Sequence, residues 1–146
     1  MTTILTTVLV IHTVFAGLWT GGTLLLVGAV LPAARRGLVG GDGLALIVKR
    51  FSYATMASVV VLLLTGGHLA GTLYTFESLQ STGRGHLVLT MTVLWLALAG
   101  ILHLGASRLT SALEASDART AAEQTNGWFL AAGVIAVLLL VVAGML

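Results

Sequence analysis

Residues 4–31 read ILTTVLVIHTVFAGLWTGGTLLLVGAVL, and no Asp, Glu, Lys or Arg interrupts them between Ile4 and Leu31. An α-helix rises about 1.5 Å per residue, so ~20 apolar residues carry the chain across ~30 Å of hydrocarbon. This stretch is long enough to cross. Three further runs share its character: 51–76, 85–106 and 127–146. In lipid a chain must satisfy its own backbone polar groups, and long continuous apolar runs do so as helices. The expected architecture is all-α, a single four-helix transmembrane bundle over residues 1–146 with spans at about 4–31, 51–76, 85–106 and 127–146.

Composition supports this class. Of the 146 residues 58% are hydrophobic and 8% charged, far too little charge for a water-soluble domain. Cysteine is absent, which excludes disulfides, thiolate metal sites and thiol redox chemistry. A net charge of +2 with no basic stretch interleaved with aromatics excludes nucleic acid as a partner. The amino terminus, MTTILTTVLVIH, lacks a basic n-region and reads as the start of a retained span.

The connections carry the charge. The first holds Arg35, Arg36, Asp42, Lys49 and Arg50, and the third holds Arg108, Glu114, Asp117, Arg119 and Glu123. The second, Glu77 to Arg84, has Arg84 as its one basic residue. Basic residues favour the cytoplasmic side, so the first and third connections are expected there and both termini outside, in a multi-pass cell-membrane protein. Pro32 and the Gly37–Gly43 region are expected to end the first helix, Asp42 to cap a second one from Leu44, and Ser116 to cap an early start of the fourth.

Four histidines lie in or at the ends of these spans. An ionisable ring in hydrocarbon is costly and marks a functional candidate. Counting from the outer surface, His12 and His68 each lie about eight residues, roughly 12 Å, into the outer half. His86 opens helix 3 at that surface, and His103 lies roughly 25 Å lower. His12 and His68 are therefore level and form the candidate site, with His86 as an entry ligand. Around His68, Gly67 and Gly71 have the GxxxG spacing that admits a neighbouring helix or a flat ligand. Thr65 and Thr72 share the His68 face and have hydroxyls able to orient an imidazole. On helix 1, His12, Ala16, Trp19 and Thr23 follow one face. A lone buried histidine is often only an interhelical hydrogen bond, and GxxxG usually only close packing. His103 and the tryptophans read as structural or interfacial, and the methionines form no pathway.

The run His12-x6-Trp19-x-Gly21-Gly22 resembles the first helix of the CopD-type copper resistance family. Arg50-Phe51-Ser52, Thr65-Gly66, Gly83-Arg84 and Arg108 follow in that family's order, so the resemblance spans about Val8 to Arg108 and more loosely the whole chain. It implies a membrane bundle concerned with copper uptake or tolerance. The chain is also similar, more distantly, to the HemJ-type four-helix oxidases, which bind b-type haem through a membrane histidine, and His12 is the position both resemblances imply. The lysine of those families on helix 3 is missing, where this chain reads Leu87-Val88-Leu89-Thr90, and helix 4 has no carboxylate.

Three functions fit these residues. One is copper handling through one site at His12, His68 and His86, since imidazole suits copper. The second is a b-type haem between His12 and His68, with Gly67 and Gly71 admitting the ring and Arg84 pairing a propionate, which would make the protein a membrane oxidoreductase. The third is a cofactor-free permease or complex subunit, which implies a homo-oligomer. A soluble-type enzyme is not expected: there is no Ser/His/Asp arrangement, phosphate loop or paired carboxylate, and all acidic residues lie in connections.

Overall fold

The computed structural model describes residues 2–146, and among them every regular element is helical. The first span is built from α1 (Thr3–Leu25), a π-helical turn (Leu26–Val30) and α2 (Leu31–Arg35). Thr2 starts it by accepting a hydrogen bond from the Leu5 amide at 3.1 Å. Pro32 does not break the helix as expected. A proline removes one amide and crowds the carbonyl four residues back. The wide π-helical turn immediately before it changes the pairing there, and the helix runs on to Arg35. The stop comes at Gly37, whose φ of 74° lies in the left-handed region. Its amide bonds to the Ala34 carbonyl and the Leu38 amide to the Ala33 carbonyl, both at 3.0 Å, the glycine-terminated pattern that closes a helix C-terminus.

The second span is α3 (Gly41–Leu73). It begins three residues before the expected Leu44, with Gly40 at the cap and no side-chain cap bond. Asp42 therefore does not cap it. Its carboxylate sits in the first turn, at the positive end of the helix dipole. The second connection is itself helical, α4 (Phe76–Ser81), closed at its start by reciprocal bonds between Thr75 and Ser78. The third span, α5 (Gly83–Ala115), packs its start so closely on α4 that a Cβ on Gly85 would run into the Ser78 carbonyl and the Leu79 backbone. A short α6 (Ala118–Gln124) leads into the fourth span, α7 (Asn126–Met145). Ser116 ends α5, with its hydroxyl on the Ala112 carbonyl, and the cap of α6 is Asp117, which accepts from the Thr120 amide at 2.8 Å. Asp competes well for such a position because its oxygen is already charged.

Four of these segments are long and apolar enough to cross a membrane. They form a closed ring of neighbours: α1 packs on α3 and α7, and α5 packs on the same two helices. Trp19, Leu26, Leu62, Leu98, Leu102, Phe129 and Ala132 fill the centre. Leu18, Leu64, Val93, Val134 and other large apolar side chains face outward, the inversion expected where the solvent is lipid. The chain is a multi-pass protein of the cell membrane.

Candidate functional site

His12 and Thr65 join the first two spans. The His12 Nδ1 lies 2.8 Å from the Thr65 Oγ1, and the same hydroxyl lies 2.7 Å from the Val61 carbonyl. A hydroxyl has one proton, and a carbonyl can only accept, so the Thr65 proton goes to Val61. Thr65 must then accept from His12, which places the imidazole proton on Nδ1 and leaves the lone pair on Nε2. This assignment follows from the partners and gives His12 the tautomer a metal ligand or acceptor needs. The next residue on α3 shapes the seat: a Cβ on Gly66 would stand 3.2 Å from the His12 Cε1, so the ring lies close over the Gly66 backbone. About two turns further along α1, the Trp19 indole donates to the Thr55 hydroxyl at 3.2 Å, with both side chains buried. The α1–α3 contact thus holds two polar links, each with an aromatic nitrogen on α1 and a threonine on α3.

The other candidate residues are distributed differently. His12 is half-buried, whereas His68 is exposed. His68 lies two residues beyond Gly66, a rise of about 3 Å and a turn of about 200°. It leaves α3 on a different face from the one that receives the His12 ring. Gly67 and Gly71 are exposed with open space around them, so their GxxxG edge packs on no helix of the described chain. Thr65, named from sequence as a possible orienter, orients His12. His86 lies at the α4–α5 corner, exposed, with its Nε2 donating to the Gln80 carbonyl at 2.7 Å. Arg84, in the first turn of α5, and His103 are also exposed. No group of three or more His, Asp or Glu side chains gathers among the described residues.

A model of the copper resistance protein D family matches residues 45–146, well over half of the chain. The chain belongs to this family. No match was found among curated proteins or among solved structures. The matched region runs from the start of α3 through α7 and includes Thr65, His68, Arg84 and His86. His12, on α1, lies before it. The resemblance read on helix 1, from His12 to Gly22, therefore lies outside the matched region, and His12 touches that region through Thr65.

Two features of the opposite end were not legible as sites. Arg35 donates to the Asn126 Oδ1 at 2.9 Å, tying the end of the first span to the start of α7. The Arg108 guanidinium sits 5.1 Å from the centre of the Trp128 ring. Both pairs are distant in sequence and have no local spacing that announces them.

Proposed function

We propose that this copper resistance family member handles copper, in uptake or tolerance, through imidazole nitrogens in the half of the bundle that contains α4. His12 is the interior ligand. His68 on α3 and His86 at the α4–α5 corner, both exposed and outside the His12 seat, are separate outer capture points that pass the ion towards it. The observation that carries this reading is the 2.8 Å contact of His12 Nδ1 with a Thr65 hydroxyl that lies 2.7 Å from the Val61 carbonyl, from which we assign the proton to Nδ1 and the lone pair to Nε2. Imidazole binds copper through such a nitrogen, and a hydrogen bond on the other ring nitrogen raises its basicity. Family membership supplies copper as the metal to test first. The haem reading would need His12 and His68 to face one another across a flat ring, and their departure from different directions does not favour it.

The test is copper binding to the detergent-purified chain, with metal analysis and an absorption spectrum on the same sample. His12→Ala is expected to abolish binding and His68→Ala to weaken it, with His103→Ala equal to wild type. Equal losses in all three variants would mean general misfolding, and a Soret band in the purified protein would replace copper with haem.

A further inference from the structure

Where α5 leaves the bundle and α7 enters it, a polar cleft of about 460 Å³ opens between Ser107, Arg108, Ser111, Gln124, Thr125 and Trp128. We propose that this cleft binds the phosphate of an anionic lipid headgroup. Arg108 is the cation of the cleft. Its guanidinium is stacked over the Trp128 ring at 5.1 Å, which holds its plane while leaving N–H edges free to donate. No carboxylate of the described residues pairs with it: the ion pair found there joins Arg119 to Glu123 at 3.4 Å. Glu123, the acidic residue next to Gln124, thus has its own cation. Glu114 lies six residues beyond Arg108 on α5 and does not line the cleft.

The hydroxyls point to the same ligand. Thr110 on α5 spends its proton on the Ala106 carbonyl at 2.9 Å, as most threonines of the spans do with a carbonyl four residues back. Ser107 and Ser111, one turn apart on the cleft side, make no hydrogen bond to any described residue. Two free hydroxyl donors beside an unpaired guanidinium suit an oxyanion with several acceptor oxygens. The cleft lies at the end of the bundle that carries Arg35, Arg36, Lys49 and Arg50. An indole and an arginine together belong at headgroup level, the ring against lipid and the cation towards water. A lipid phosphate is present at that depth, and basic clefts between membrane helices are suited to hold one.

The experiment titrates short-chain phosphatidylglycerol into the full chain in neutral detergent and reads tryptophan fluorescence. Phosphatidylcholine and inorganic phosphate are run in parallel. Phosphatidylglycerol should saturate the signal and phosphatidylcholine should not. Arg108→Gln should weaken phosphatidylglycerol about fivefold, the loss of one basic contact near an anionic surface, with the melting temperature unchanged. Lys49→Gln, at the same end but outside the cleft, should bind as wild type does. Equal weakening by Lys49→Gln would reduce the effect to general surface charge and overturn the site, as would unaltered binding by Arg108→Gln. Saturation by inorganic phosphate at the same concentration would overturn the lipid as the source. Should Arg108→Gln fail to fold, the Ser107→Ala/Ser111→Ala pair carries the test, and unchanged binding there also sinks the proposal.

Discussion

The two ends of this bundle treat polar side chains in opposite ways. At the α4 end, the imidazole of His12 sits between two helices and has a dedicated acceptor in Thr65. At the basic end, Arg35 and Arg108 lie on the rim and are steadied by neutral partners, an amide and an indole. The difference follows from depth. A polar group inside the hydrocarbon has no water to fall back on, so its hydrogen bonds must be built in and are geometrically strict. A rim cation keeps its water and needs only an orienting contact. Changes at the His12 seat should therefore be felt in both folding and metal binding, while changes at the rim should alter partners and leave the fold alone.

The sharpest way to break this contrast is at Gly66. A side chain there meets the His12 ring, because even a Cβ would stand 3.2 Å from Cε1. Gly66→Leu should expel the imidazole or part α1 from α3, at a cost of about 1–3 kcal/mol as in other overpacked interiors. The expected result is a lower melting temperature in detergent together with loss of copper. A variant that melts as wild type does and still binds copper would mean that His12 does not occupy this seat.

Thr65→Val separates the two consequences. Valine keeps the shape but cannot accept from Nδ1, which leaves a half-buried donor unpaired, worth about 1–3 kcal/mol. Copper affinity should fall by roughly 10–100-fold, the range for losing an outer-shell partner of a metal-bound histidine. Thr65→Ser should recover most of it. Thr55→Val, which removes the equivalent acceptor from Trp19, should reduce stability without changing copper affinity. If both valine variants lower the affinity alike, Thr65 supports only the packing of the two helices.

What could be read from the sequence divides along the same line as the two ends. The number of spans was legible because charges cannot be left in hydrocarbon, so uncharged runs outline the membrane. Helix ends were not, since a helix has no reason to stop where the membrane does: α3 and α5 each continue to 33 residues, beyond the 51–76 and 85–106 runs. Pro32, Asp42 and Ser116 misled for a local reason. Each is a common terminator or cap, but Gly37, Gly40 and Asp117 respectively take over those tasks. The positions of His12 and His68 along their helices could be counted in residues. The face of each could not, because a helix surrounded by lipid is apolar on all sides and its inward stripe leaves little trace. His68 thus emerged on the exposed side of α3 while Thr65, one turn earlier, met His12.

The smallest expected effect lies on the rim, at Asp117. Its carboxylate is held below the ordinary carboxylate range chiefly by hydrogen bonds from Thr120, with a minor contribution from the charge of Arg119. A depressed carboxyl pKa stabilises the folded state only while the group is ionised. The contribution is therefore complete above the unfolded value near pH 4 and is lost as pH falls through the lower folded value. Since Asp117 is fully solvated, water and salt screen most of the effect. Asp117→Asn keeps a side-chain oxygen at the cap but removes the charge, so the melting temperature near neutral pH should shift little and its decline below about pH 4 should become shallower. Copper binding at neutral pH should be untouched, because Asp117 is a solvated cap on the short α6 at the opposite end of the bundle from the His12 seat. A loss of copper in this variant would join the two ends energetically and require that the rim and the His12 seat respond to one another.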